Sequence, residues 1–298
     1  MRRLTLFAAM LILTGLLGAC SGDGNDASGS GISVVATTTQ IGSLTREVAH
    51  DRVALTVLLK AGADAHDFEP NPQTVKTIHH AKLVLRNGLG LDHWLDKTVT
   101  GAGGSAEIVT VTDGVTVRTE SGAVDPHVWH NPQNAKIMVD DIVAALTRAD
   151  PENASFFAEN GDTYKAKLDA TDAEVRKIID EIPPANRKVV TNHDAFGYFF
   201  DYYGLEFIGA VIPTTNKDAQ SSAKSLAALQ DLIKAEGVKA IFTEAEIDPK
   251  VARELATDSG VAVVEGLYAD SLGEPGSGAD TIDGMLLFNA RKIAEALK

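Results

Sequence analysis

The stretch DPENASFFAENGDTYKAKLDATDAEVRKIIDEI, residues 150–182, decides how the rest of the chain is organised. Asp150 followed by Pro151 pairs a good helix N-cap with proline at the first helical position. Apolar residues then recur at Phe157, Tyr164, Leu168, Val175 and Ile179, close to helical spacing, and no further proline intervenes before Pro183. At 1.5 Å per residue such a segment makes a rod of about 45 Å, long enough to cross two small lobes. The competing reading is two shorter helices with a break or bend at Gly161. A single crossing helix forms a stiffer hinge than extended strands would, which argues against wide clamshell motion.

On either side of this helix, short β-branched runs alternate with helical patterns, the signature of parallel α/β units. Before it, strands are expected at 33–36, 53–59, 82–85 and 107–111, and helices at 40–48, 72–81 and 93–100. Asn131-Pro132 opens a further helix in the same way as Asp150-Pro151. After it, strands are expected at 188–191, 206–208, 239–243 and 261–264, and helices near 195–203, 222–236, 249–259 and 281–297. The fold class is therefore α/β: two similar lobes with mainly parallel sheets, residues 32–149 and 183–298, joined by the long helix of residues 150–182.

The remaining N-terminal residues follow a different logic. Arg2 and Arg3 precede an apolar run from Leu4 to Leu17, the layout of a secretory signal peptide over residues 1–19. The run is shorter than the roughly 20 residues a spanning helix needs. Leu17-Gly18-Ala19-Cys20 resembles a bacterial lipobox, in which the cysteine becomes the lipid-modified first residue; the alternative is a plain signal peptide with an incidental cysteine. Residues 21–31 carry no large apolar side chain, so residues 20–31 read as a lipidated flexible tether. Cys20 is the one cysteine in the chain, so no intrachain disulfide can form. The chain of 298 residues is 44% hydrophobic, ample for a sizeable core, and its net charge of −14 lacks the basic footprint of a nucleic-acid binder.

Four residues far apart in the chain stand out within this framework: His66, His127, His193 and Asp270. Ligands of open α/β sheets bind outside the carboxyl ends of the strands. His66 follows the second expected strand of the first lobe, His127 its fourth; His193 follows the first strand of the second lobe, Asp270 its fourth. Singly, each reads as an ordinary loop residue, a surface histidine or a turn-capping aspartate. Together they face one crevice, and three imidazoles with one carboxylate make a tetrahedral zinc-type donor set with no open position for an activated water.

The chain resembles the zinc- and manganese-binding lipoproteins of bacterial ABC importers, the cluster A-I or family 9 solute-binding proteins. The resemblance rests on the lipobox, His66-Asp67-Phe68-Glu69-Pro70, Asp125-Pro126-His127-Val128-Trp129, Asn192-His193-Asp194-Ala195-Phe196-Gly197-Tyr198-Phe199, Ile241-Phe242-Thr243-Glu244 and Tyr268-Ala269-Asp270-Ser271. It implies a monomeric, extracytoplasmic, lipid-anchored receptor, not an enzyme, that binds Zn²⁺ or Mn²⁺ between its lobes through the residues matching His66, His127, His193 and Asp270. It implies delivery of the ion to a membrane permease driven by a separate cytoplasmic ATPase, consistent with the absence of a Gly-x-x-x-x-Gly-Lys loop. A nitrogen-rich set suits zinc better than manganese, and manganese-type relatives tend to carry a second carboxylate where this chain has His193.

Two features depart from the zinc-type pattern. The stretch 112–123 holds no histidine, where zinc-type relatives often have a His-rich loop, and His130 stands where an apolar residue is usual. His130 reads as an exposed histidine or a group supporting the ligands; His50, His79, His80 and His93 read as surface residues. Asp67, Glu69, Asp125 and Asp194 neighbour the histidines and could accept their second ring N–H, or cap helices. Glu244 reads equally as such a partner or as a solvated carboxylate. A zinc hydrolase is disfavoured because neither a His-Glu-x-x-His helix nor a Gly-x-Ser-x-Gly elbow is present. A surface adhesin is the interaction-protein alternative, about which the sequence is silent.

Overall fold

A computed structural model of the chain describes residues 31–66, 68–120, 122–212 and 222–298. The expected signal peptide, Cys20, the tether as far as residue 30 and Asp67 lie outside the described residues. In the first half, strands β1 (Ile32–Ala36), β2 (Val53–Val57), β3 (Leu83–Arg86) and β4 (Glu107–Thr110) pair in parallel in the order β2-β1-β3-β4. A short antiparallel hairpin, β5 (Thr119–Glu120) and β6 (Ala123–Val124), follows. In the second half, β7 (Lys188–His193), β8 (Glu206–Ile212), β9 (Ala240–Glu244) and β10 (Ala262–Leu267) pair in parallel in the order β10-β9-β7-β8. Counted within each lobe, both sheets have the same order: second, first, third, fourth.

The central strands are apolar on both faces, as parallel sheets covered by helices require. Val34, Val35 and Ala36 of β1 and Leu83, Val84 and Leu85 of β3 are all fully buried. The covering helices of the first half are α1 (Thr39–Ala49), α2 (Pro72–His80), α3 (Trp94–Ala102) and α4 (Pro132–Ala149). The rod is α5 (Ala154–Asp180); the second half adds α6 (Gly197–Tyr203), α7 (Ala223–Glu236), α8 (Lys250–Ser259) and α9 (Ile282–Leu297). Strand β8 outruns its expected end at residue 208. Gly209 interrupts the β-branched run there, and a Cβ at that position would lie 2.8 Å from Leu229 Cδ1 of α7. The hairpin left no periodic signal, since strands of two residues are too short to show one.

The rod is continuous. Pro151–Asn153 form one 3-10 turn; Asp150 stands at its N-cap position but makes no side-chain capping bond, its carboxylate accepting instead from Asn153 Nδ2 at 2.7 Å, and α5 then runs from Ala154 through Gly161 without interruption, about 40 Å in 27 residues. It buries Phe157, Gly161, Tyr164, Leu168, Thr171, Val175 and Ile179 along one stripe. Near its start Asn160 Nδ2 donates to Val48 O of α1 at 3.0 Å; one turn on, Tyr164 donates its hydroxyl to Asp283 of α9 at 3.0 Å. One apolar core therefore runs through both lobes and the helix behind them, and a second, smaller cluster of Val190, Val211, Leu229, Ile233 and neighbours lies between β7–β9 and helices α7 and α8.

Gly161 is a packing glycine. A Cβ there would stand 2.6 Å from Val143 Cγ2 and 3.5 Å from Val139 Cγ1, both on α4, and a helical valine has essentially one rotamer to offer. Helix propensity alone would make Gly161→Ala stabilising by about 1 kcal/mol. We expect the clash to reverse the sign, giving a net loss of about 1 kcal/mol in urea unfolding, with Val143→Ala in the same chain restoring the gain.

Candidate metal centre

The four residues singled out in the sequence come together at the carboxyl ends of the two sheets. One donor atom from each of His66, His127, His193 and Asp270 can be chosen so that all lie within 4.8 Å of one another. His66 Nε2 is 3.3 Å from His127 Nε2 and 3.7 Å from Asp270 Oδ2, and His127 Nε2 is 3.1 Å from Asp270 Oδ1. Bonds of 2.0–2.1 Å to one tetrahedral ion require donor separations of about 3.4 Å. The spacing thus fits a single small divalent cation. His127, His193 and Asp270 are buried; His66, 12% exposed in its side chain, stands on the path to solvent.

Each side chain is aimed by its local structure. The His66 backbone N–H donates to Asp64 Oδ1 at 2.7 Å, setting the loop between β2 and α2. Asp125 Oδ1 accepts from both the backbone N–H of His127, at 3.0 Å, and its Nδ1, at 2.7 Å, which turns Nε2 toward the cluster. His193 is the last residue of β7 and Glu244 the last of β9, neighbouring strands at the point where the strand order reverses. Glu244 Oε2 lies 3.4 Å from His193 Nδ1, and His193 Nε2 meets no hydrogen-bonding partner among the described residues. Asp270 comes from the second lobe, yet its loop is fastened to the first. Ala269 O accepts from Trp129 Nε1 and Gln40 Nε2, Ser271 Oγ from Gly62 N, and Thr39 Oγ1 from Leu272 N, at 2.9–3.3 Å.

The electrostatics follow from burying so many charges together. Burial works against a charged His127, but Asp270 and Asp125 outweigh it and push its pKa up to about 10. His193 is likewise raised to about 9, burial being overcome by Glu244 and then Asp270. His66 goes down, because desolvation exceeds the pull of Asp270. The Asp270 carboxyl sits far below its usual range: burial would raise it, but His127, His193 and His66 prevail. Glu246, which accepts from Ser271 N and Oγ, is pushed up to about 8 by burial and by Glu244 and Asp270. The carboxylates around them thus favour protons on His127 and His193, and those rings in turn hold Asp270 charged.

The neighbouring residues match expectation only in part. His130 is fully buried rather than exposed. Its ring lies 4.8 Å from that of Phe196, neither nitrogen meets a partner among the described residues, and burial pushes its pKa down to about 3. It behaves as a neutral aromatic ring in a pocket that sequence reasoning could not foresee, because Phe196 arrives from the other lobe. Glu69 is exposed and Asp194 buried, while His50, His79, His80 and His93 are exposed. Trp129 is fully buried and hydrogen-bonds across the lobes. Asp64 and Arg118 carried no signal in the sequence; Arg118 reaches Asp125 Oδ2 at 3.0 Å. No helix among the described residues is long and apolar enough to cross a membrane.

The family model for ZnuA, the periplasmic component A of a zinc-uptake complex, matches residues 34–296. The chain belongs to this family. Its members are metal-binding, solute-binding proteins of ABC transporters and not enzymes. Among its relatives, the manganese ABC transporter substrate-binding lipoprotein PsaA of Streptococcus mitis is 31% identical over 304 residues, spanning 98% of either chain. The periplasmic zinc binding protein TroA from Treponema pallidum superposes with a TM-score of 0.84 at 28% identity, covering 90% of this chain and 99% of that one. A manganese-bound periplasmic metal binding protein from candidatus liberibacter asiaticus gives 0.81 at 27% identity, covering 90% and 100%. The two-lobed α/β fold and the metal-binding character of the chain stand on this agreement together with the clustered donors.

Two outcomes test the electrostatics. With His127 and His193 as ligands, an incoming cation would displace the protons that Asp270, Asp125 and Glu244 favour on them, and affinity should fall by about tenfold or more between about pH 8 and about pH 6. Calorimetry in buffers of different ionisation enthalpy should register proton release on binding; none would contradict the raised histidines. Asp125→Ala and Glu244→Ala should each weaken zinc binding about 10- to 100-fold, as loss of a histidine-orienting carboxylate does. His130→Leu, by contrast, should leave zinc affinity essentially unchanged in the same titration.

Proposed function

We propose that the chain is the extracytoplasmic receptor of an ABC importer for Zn²⁺, with His66, His127, His193 and Asp270 as the four ligands. The observation that carries this is the donor set, three imidazoles and one carboxylate whose ligand atoms lie within 4.8 Å of one another. Intermediate-soft nitrogen ligands suit zinc, and a set with no further protein-free position suits capture rather than catalysis. In this reading Cys20 carries the lipid that holds the protein on the outer face of the cell membrane, residues 20–31 are the tether, and residues 32–149 and 183–298 are lobes joined by residues 150–182. Multiple acyl chains, at about 0.8 kcal/mol per buried methylene, suffice for stable anchoring. The receptor hands its ion to a membrane permease whose ATPase is a separate cytoplasmic chain.

The second reading is a manganese receptor. Glu244 favours it, a second carboxylate 3.4 Å from His193 Nδ1, and the names of the PsaA relatives point the same way. Zinc binds more tightly than manganese at almost any such site, so relative affinity does not identify the cargo.

Elemental analysis of residues 31–298 purified without chelator should find close to one equivalent of zinc, and His193→Ala should abolish retention. A preparation with no bound metal and no affinity for zinc or manganese would refute the proposal. Uptake of radiolabelled zinc and manganese by cells with and without the protein separates the two readings: zinc uptake should collapse and manganese uptake persist.

A further inference from the structure

Arg118 immediately precedes β5 of the first lobe's hairpin and pairs with α6 of the second. Its Nη1 donates to Asp125 Oδ2 at 3.0 Å, and Asp125 is the buried carboxylate whose other oxygen orients His127 at 2.7 Å. Its Nε donates to Asp201 Oδ2 on α6 at 2.9 Å. Its backbone N–H donates to the Tyr198 hydroxyl at 2.7 Å, and that hydroxyl donates to Asp125 O at 3.2 Å. Room for the guanidinium is made by Gly197, where a Cβ would fall 2.1 Å from Nη1. One cation therefore joins two carboxylates from opposite lobes.

We infer that the Arg118–Asp201 bridge is an interlobe latch that sets how long the bound ion stays, acting through Asp125 on His127. The inference rests on the reading of His127 as a ligand. The apolar core that runs through both lobes keeps them in register at the back, so any opening must break polar contacts at the cleft. The fastenings of the Asp270 loop and the Arg118 bridge are separate sets of such contacts. Parting α6 from the hairpin withdraws Asp201 from Arg118 Nε and Tyr198 from Asp125. The guanidinium then loses its anchor on α6, and the Asp125 carboxylate loses support that holds His127 Nε2 toward the ion. The Asp201 side chain is 69% exposed, so its charge can be removed without unfolding the chain. Arg118 and Asp201 are positioning residues in this scheme, since neither contacts the ion.

The test follows release of zinc from the full folded chain into an excess of a chromogenic chelator by stopped flow. Asp201→Asn should speed release about two- to fivefold, the range open to a solvent-exposed ion pair, with the melting temperature of the metal-free protein unchanged. Asp201→Glu should restore the slow rate. Arg118→Gln should release faster still, and adding Asp201→Asn to it should change nothing further. Release rates for Asp201→Asn indistinguishable from wild type, or effects of the two substitutions that multiply independently, would overturn the latch. A wild-type protein that binds no zinc would instead overturn the ligand assignment on which it rests.

Discussion

The Asp270 carboxylate is the constraint around which the rest is arranged. It is 1% exposed, and neither oxygen accepts a well-aligned hydrogen bond, although His127 Nε2 stands 3.1 Å from Oδ1. A buried anion without compensation is expensive, and a protein usually responds by neutralising it or by supplying a cation. Here the surroundings are three imidazoles, and in the proposed reading protons on His127 and His193 give way to nitrogen lone pairs when a cation binds. In that reading the site exchanges protons for one divalent cation.

That exchange needs the imidazoles to be held without being exhausted. Asp125 takes Nδ1 of His127 and Glu244 faces Nδ1 of His193, so in each ring one nitrogen is committed to a carboxylate. Such partners fix ring orientation and raise ligand basicity. The same carboxylates add negative charge to a site with a single charged oxygen donor group, which favours a doubly charged ion over a singly charged one. His130 and Glu246 show the opposite limit: beside the cluster, the one buried and the other half-buried, both are driven toward their neutral forms.

The two lobes meet in two kinds of contact with different mechanical roles. Behind the cluster, α5 and the core it shares with both sheets form an apolar contact that cannot part without exposing large side chains such as Phe157 and Leu168. Around the cluster, beside the His130–Phe196 ring contact, the lobes are joined by single hydrogen bonds and ion pairs: Gln40 and Trp129 to Ala269 O, Gly62 to Ser271, Thr39 to Leu272, Arg118 to Asp201. Each of these is worth little alone, so a cleft built this way can open by small, graded steps while the back stays closed.

The amino-acid sequence by itself determined the alternation of strands and helices, the capped rod between two lobes and the candidate donors, because periodicity, caps and strand-end positions are local properties. His66, His127, His193 and Asp270 were legible only as a set, through their places after strands. What surrounds them was not legible. The burial of His130 depends on Phe196, the aim of His127 on Arg118 as well as Asp125, the tie on Asp270 on residues of the other lobe, and the reason for Gly161 on Val143 of a neighbouring helix. Each is a contact between segments distant in the chain. Sequence spacing sets which residues can lie on one element; only packing those elements decides which of them touch, how far they are from water, and so what charge they carry.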